Sequence, residues 1–284
     1  MTSRKARGGE NASQATPYSR AAEARELLAA AVRAADAAAI VIRDGARKLG
    51  TLDWEKKSHA DFVSEVDRSA EAIIREVLLG QYSAAIVMGE ELTPDAVADE
   101  GLVFIVDPLD GTTNFLHGYP EYAVSIAAVR SGEIAAGVVL NVPTGERFTA
   151  LRGEGARRNG ERIRVSKITD PSRALIGTGF PFRHPEVLPL WQAQFARVML
   201  VTSGVRRAGA AALDLCDVAC GRFEAFWELR LAPWDFAAGM LMIQEANGIV
   251  TGLDGRPVAL DHGPIVAGNR AMHEWLLSNL QPDT

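Results

Sequence analysis

The segment GEELTPDAVADEGLVFIVDPLDGTTNF, residues 89–115, holds the feature that most restricts the fold. Five consecutive apolar residues, Leu102-Val103-Phe104-Ile105-Val106, run directly into Asp107. Such a run reads as a buried strand, and a buried strand needs helices or a second sheet laid over it. The chain must therefore form layers. Asp110 follows three residues on, then Gly111-Thr112-Thr113. Surface acids do not usually stand at the mouth of a buried strand, whereas a metal site has a use for them there.

With 284 residues, 48% hydrophobic and 23% charged, there is material for a large core in one domain or two closely joined halves. The net charge of −6 argues against nucleic acid or an anionic membrane as the main partner. It does not exclude an anionic substrate, because bound cations invert the local field. No uncharged apolar run of about eighteen residues occurs, so no transmembrane helix is expected. The first twenty residues are polar, basic and Gly/Ser-rich, and read as a disordered tail without the apolar core of a signal peptide. Cys216 and Cys220 share a helix face and read as small buried residues, since a zinc site would need more ligands nearby. A cytoplasmic location is the expectation.

Along the chain, Leu27, Leu28, Ala31, Val32, Ala35, Ala38, Ala39 and Ile42 recur at helical spacing within Ala21 to about Leu49. Lys56 to His59 reads as a polar loop, and a second helix as running from about Asp67 to Leu79. Ala84–Met88 and Leu102–Val106 read as short strands. Tyr122–Arg130, Glu133–Leu140 and Arg147–Leu151 read as a meander. Near Ser166 the pattern changes to alternating elements. Strands are expected at Ala174–Gly177, Glu224–Glu228, Gly248–Thr251 and Ile265–Ala267. Helices are expected at Pro185–Val198, Gly209–Cys220, Trp234–Ala246 and Ala271–Leu280. The fold class is thus α/β, with an α+β half over residues 21–165 and an alternating half over 166–284.

Four places set acids beside glycine, proline or a strand end: Asp67, Glu90-Glu91, Asp107-Pro-Leu-Asp110 and Trp234-Asp235. Hard divalent cations take oxygen ligands, and magnesium is held by a few carboxylates plus waters and phosphate oxygens. A proline turn between Asp107 and Asp110 would let both face one point, with the Leu109 carbonyl as a further neutral oxygen. Gly111-Thr112-Thr113 reads as the opening of a helix or turn whose N–H groups suit phosphate. Acids for metal beside donors for phosphate suggest metal-assisted phosphoryl hydrolysis, in its two-metal version with ions about 3.5–4 Å apart. Each acid also has an ordinary explanation. Asp67 and Asp235 could cap helices, Glu90-Glu91 could be a solvated pair, and Asp110-Gly111 is a common turn. Four caps would not require a strand running into Asp107.

Asp61–Asp67 (DFVSEVD), Gly89-Glu90-Glu91, Asp107–Phe115 (DPLDGTTNF) and Trp234–Gly239 (WDFAAG) together resemble the inositol monophosphatase family, in order and spacing, from Lys56 to the end. The resemblance implies a layered α-β-α-β-α sandwich of the sugar-phosphatase type, a homodimer, magnesium dependence and lithium sensitivity. It implies Glu90, Asp107 and the Leu109 carbonyl around one metal, and Asp107, Asp110 and Asp235 around a second. Glu90, Thr112 and Asp67 would orient and activate the attacking water, and Gly111 and Thr112 would contact phosphate. Glu91 would lie behind Glu90, and Lys56 in a mobile loop near a further metal. Substrate contacts would come from Arg206, Gly209, Ala210, Glu228 and Asp235. Glu228, six to eight residues before the Trp-Asp motif, suits the hydroxyls of a sugar-like group. Ala210 departs from the threonine of many relatives and has no hydroxyl to offer.

The expected substrate is therefore a small phosphorylated polyol, inositol 1-phosphate first, with histidinol phosphate as runner-up and fructose 1,6-bisphosphate behind it. Thr113-Asn114-Phe115 disfavours the phosphoadenosine phosphate branch. From another class, the chain could be a regulatory binding protein that kept the fold. Loss of a metal ligand would signal that, and none of the four acids is lost. Gly177-Thr178-Gly179 is the only support for a dinucleotide site, and the glycine fingerprint is absent.

Overall fold

Alanine sets the first layer. In the computed structural model, which describes residues 17–51, 54–58, 61–94 and 101–281, helix α1 (Pro17–Ala46) carries the fully buried stripe Leu27, Ala30, Ala31, Ala34, Ala35, Ala38, Ala39 and Ile42. Side chains this small let α1 approach α2 (Glu65–Gln81) and the sheet beneath closely. The expected tail lies outside the described residues up to residue 16, and α1 begins at Pro17.

The sheet beneath has seven strands in chain order: β3 (Ile86–Gly89), β4 (Leu102–Asp110), β5 (Ala123–Arg130), β6 (Glu133–Asn141), β7 (Arg147–Leu151), β8 (Gly155–Arg158) and β9 (Glu161–Arg162). Only β3 and β4 pair parallel. Along β4, Phe104 and Val106 join the core under α1 and α2, while Val103 and Ile105 join the core on the other face. Period-2 alternation with both faces apolar is why the run carries no polar residue before Asp107.

That second core is shared with α5 (Ala211–Ala219) and α6 (Pro233–Glu245), which form the middle layer. Beyond it lies a five-stranded sheet of β10 (Leu175–Thr178), β11 (Gly204–Arg206), β12 (Ala225–Leu231), β13 (Ile249–Thr251) and β14 (Gly263–Gly268), in the order β11-β10-β12-β14-β13. Its outer face packs on α4 (Leu188–Met199) and α7 (Arg270–Leu280) through Trp227, Ile176, Val198 and Leu276. The layers run α-β-α-β-α.

Several elements differ from expectation. Lys56–Ser58 is not loop but part of β1 (Trp54–Ser58), paired antiparallel with β2 (Asp61–Ser64). The expected helix at 185–198 opens as a 3₁₀ turn, with the α-helix starting at Leu188 and Pro189 in its first turn. The strand at β4 does not stop at Val106 but continues through Pro108 to Asp110. A five-residue helix, α3 (Thr112–Leu116), follows at once. Cys216 is buried and Cys220 partly so, both as free thiols.

Candidate active site

The end of β4 is bulged. Asp107 pairs with Ser125 and Asp110 with Ala123, so β4 advances three residues while β5 advances two. The extra residue falls within Pro108-Leu109, and Pro108 has no N–H for the ladder. In a regular strand two residues three apart point to opposite faces. The bulge, rather than the expected turn, brings Asp107, Leu109 and Asp110 into the lining of one cavity of about 630 Å³.

Backbone N–H groups hold one oxygen of each acid there. Leu109 donates to Asp107 Oδ1 at 3.0 Å, Ala212 to Asp110 Oδ2 at 2.8 Å, and Ala232 to Asp235 Oδ2 at 2.7 Å. The last bond makes Asp235 both a cavity residue and a cap of α6. The Asp110 bond explains how α5 tolerates Ala210 at its N-cap: the amide that a capping hydroxyl would take is taken by a carboxylate from β4.

Asp67 also does two things. Its Oδ2 accepts the Ser64 N–H (2.9 Å) and hydroxyl (2.6 Å), closing the cap of α2, while Oδ1 accepts the Thr112 hydroxyl at 2.9 Å. The Leu109 carbonyl lies 3.1 Å from the same hydroxyl, whose single proton serves both acceptors. Asp67 stands behind Thr112, which itself lines the cavity with Gly111. Gly111 has φ +90°, and a Cβ there would meet the Glu121 carbonyl at 2.9 Å, so only glycine fits.

Glu90 lines the same cavity, 3.9 Å from Arg183 Nη1. Its turn is held from behind by Glu71, a fully buried acid on α2 that accepts the Glu91 N–H at 2.7 Å and the Leu92 N–H at 3.2 Å. Gly89 leaves the room, because a Cβ there would sit 2.2 Å from Glu71. Glu71 escaped the sequence reading. Its signal is an acid inside the buried stripe Val66, Ala70, Ile74, Leu78 of α2. Glu91 does not line the cavity, and the Lys56 side chain lies outside the described residues.

The far wall comes from the second sheet. Glu228 on β12 is half-buried and packs so tightly over Gly179 that a Cβ at 179 would fall 2.0 Å from its carboxyl carbon. Gly179 is thus the floor under an acid, while Gly177 faces Phe223 and Phe226. Gly209 and Ala210 line the cavity as expected, whereas Arg206 does not: it is exposed, and Arg207 takes the place. The Arg207 guanidinium lies 5.4 Å from the Phe180 ring centre and 5.2 Å from that of Phe182. Asp214, from α5, is a further lining residue that the sequence reading did not single out.

The model of the inositol monophosphatase family matches residues 23–283. The chain belongs to that family. A relative named Nus factor SuhB, from Pseudomonas aeruginosa, is 44% identical over 260 residues, covering 90% of this chain and 96% of its own. An inositol-1-monophosphatase of Rhizobium meliloti is 45% identical over 230 residues, covering 81% and 86%. The crystal structure of extragenic suppressor protein suhB from Bartonella henselae superposes with a TM-score of 0.85 at 40% identity, covering 91% of this chain and all of that one.

Within this family fold the cavity is dense in carboxyl groups. Burial, then the charges of Glu90, Asp110 and Asp235, hold the Asp107 carboxyl well above the usual range. Burial and Asp235 raise Asp110 to about 7, against the N–H groups of Ala212 and Ala211 and the charge of Arg183. Glu228 is raised to about 8 by burial and then Asp235, opposed by Arg207. Burial likewise raises Asp67 despite its bonds to Ser64 and Thr112. Among the described residues no three acidic or imidazole side chains converge tightly on one point. By type, however, the donors are hard oxygens whose mutual repulsion a divalent cation relieves, and that fits magnesium better than a softer ion. Glu90, Asp107, the Leu109 carbonyl, Asp110 and Asp235 are the residues that would hold it.

Proposed function

We propose that the chain is a magnesium-dependent phosphomonoesterase acting on inositol 1-phosphate, releasing inorganic phosphate and the free polyol. One observation carries the reading. A single cavity has Glu90, Asp107, Asp110 and Asp235 in its lining together with Glu228, so a phosphate-handling region and a hydroxyl-binding acid share one space. Bound magnesium would supply positive charge to the phosphate oxygens and lower the pKa of a coordinated water.

The chain's own residues do the rest. The proton of Thr112 Oγ1 is directed to Asp67 and Leu109, which leaves its lone pairs to accept from a water and orient it. Glu90 is the acid at hand to take that water's proton as it attacks phosphorus. Gly111 and Thr112 contact the phosphate. Glu228 accepts from hydroxyls of the leaving polyol.

The relatives named Nus factor favour a second reading, a regulatory binding protein on the same fold. Retention of all four carboxylates argues for catalysis. A phosphate-release assay in magnesium on inositol 1-phosphate, histidinol phosphate, fructose 1,6-bisphosphate and phosphoadenosine phosphate tests both. The highest kcat/KM is expected on inositol 1-phosphate. Release from none of the four would overturn the enzymatic reading.

A further inference from the structure

Asp214 has no part in the scheme above, yet it is placed as though it had one. It lies in the first turn of α5, is 3% exposed and lines the cavity, and its Oδ1 finds no hydrogen-bond partner among the described residues. Buried polar atoms in folded chains are bonded as a rule, and an unbonded one costs as much as a hydrogen bond is worth. Packing does not ask for an acid here. Leu213, Leu215, Cys216 and Val218 around it on the helix are all buried and apolar. A carboxyl with one oxygen unbonded, on a residue that lines a ligand cavity, stands within reach of a partner in that cavity.

The surroundings say what completes it. Burial first, then the charges of Glu228 and Asp110, push the Asp214 carboxyl well above its ordinary range. With or without its proton a carboxyl accepts from a hydroxyl, and with it also donates. A second phosphate would meet the two acids Glu228 and Asp214, and an apolar group would leave both unsatisfied. Neighbouring hydroxyls suit them, because each hydroxyl can donate and accept.

We propose that Asp214 is a specificity-determining residue whose carboxyl hydrogen-bonds a hydroxyl of the substrate's alcohol part, next to the hydroxyl taken by Glu228. The cavity then selects phosphomonoesters of vicinal diols. This rests on the phosphomonoesterase reading and adds a polar contact that the bare methyl of Ala210 does not give.

The test compares inositol 1-phosphate with p-nitrophenyl phosphate, which has no free hydroxyl, on wild type, Asp214→Ala and Asp214→Asn in saturating magnesium. Asp214→Ala should lower kcat/KM for inositol 1-phosphate roughly tenfold more than for p-nitrophenyl phosphate, about the effect of one buried hydrogen bond, with the loss in KM. Asp214→Asn, which keeps a donor and an acceptor, should recover part of it. If the alanine variant is unstable, Asp214→Leu, with the same branching and without polar atoms, carries the same comparison. Equal losses on both substrates, or none on either, overturn the role of Asp214 and leave the phosphomonoesterase reading standing. A wild type that hydrolyses p-nitrophenyl phosphate but neither inositol 1-phosphate nor glycerol phosphate overturns the polyol reading and this inference together.

Discussion

Asp110 is one side chain with two attachments, and its two oxygens separate structure from chemistry. Oδ2 caps α5 through Ala212, a bond that an asparagine carbonyl makes as well. The anionic charge is what a cation would need. Asp110→Asn should therefore keep the fold, with an unfolding midpoint at or above wild type because a repelled buried charge is gone, while phosphate release in saturating magnesium collapses. Wild-type turnover in the variant would sink the metal-ligand assignment. The same groups give a pH prediction for the metal-free protein. Asp110 at about 7 and Glu228 at about 8 both lie above their unfolded values near 4. Between those limits the folded state binds more protons than the unfolded one, so stability falls as pH rises. The contribution is complete below about pH 4 and lost through about pH 7–8. In chelator, the melting temperature should fall from about pH 5 to about pH 8, and magnesium should flatten the curve. A melting temperature that climbs with pH in chelator would contradict the buried neutral acids.

At the level of elements, the turn after β3 depends on α2. Gly89→Ala would drive a methyl into Glu71 and break its bonds to the Glu91 and Leu92 amides. Bonds to a charged acceptor contribute about 1.5–3 kcal/mol each, so a loss of roughly 2 kcal/mol or more in denaturant unfolding is expected, with a fall in kcat as Glu90 loses its seat. Gly80→Ala, in the exposed last turn of α2 with open space around it, should instead stabilise by about 0.5–1 kcal/mol. If the two substitutions behave alike, Glu71 is not the anchor. The elements that were legible in the sequence are those with apolar periodicity: the alanine stripe of α1, the runs of β4 to β7, and the helices of the second half. β8, β9 and β11 were not, because Gly155–Arg158, Glu161-Arg162 and Gly204–Arg206 are short and rich in glycine and charge, with no apolar run to read. Pro108 was read as a turn because proline usually leaves a ladder, and only pairing partners reveal a bulge. The motif acids were visible as a set, and the cavity gathers Glu90, Asp107, Asp110, Glu228 and Asp235. Glu71 and Asp214 were hidden for one shared reason: each interrupts a helical stripe as a single acid, which resembles a solvated position until burial is known.

Over the whole molecule, Met199, Leu200 and Val201 form an exposed apolar run at the end of α4, with Leu200 80% exposed. Such patches mark association surfaces. A homodimer is expected to cover it, and Leu200→Glu should shift sedimentation toward monomer while the circular dichroism of the fold is kept. A wild type that sediments as monomer at micromolar concentration would place the run elsewhere in the protein's use. Residues 163–174 bridge the last strand of the seven-stranded sheet and the first of the five-stranded one. Glu90, Asp107, Asp110 and Thr112 lie before that bridge, while Asp214, Glu228 and Asp235 lie after it. A carboxylate from one side caps a helix from the other. Cutting the chain between Thr169 and Asp170, both exposed, would give two fragments, neither with a full set of cavity acids. Phosphate release should then appear only when the pieces are mixed. The protein would serve as its own split reporter, in which restored turnover measures the docking of one fragment on the other.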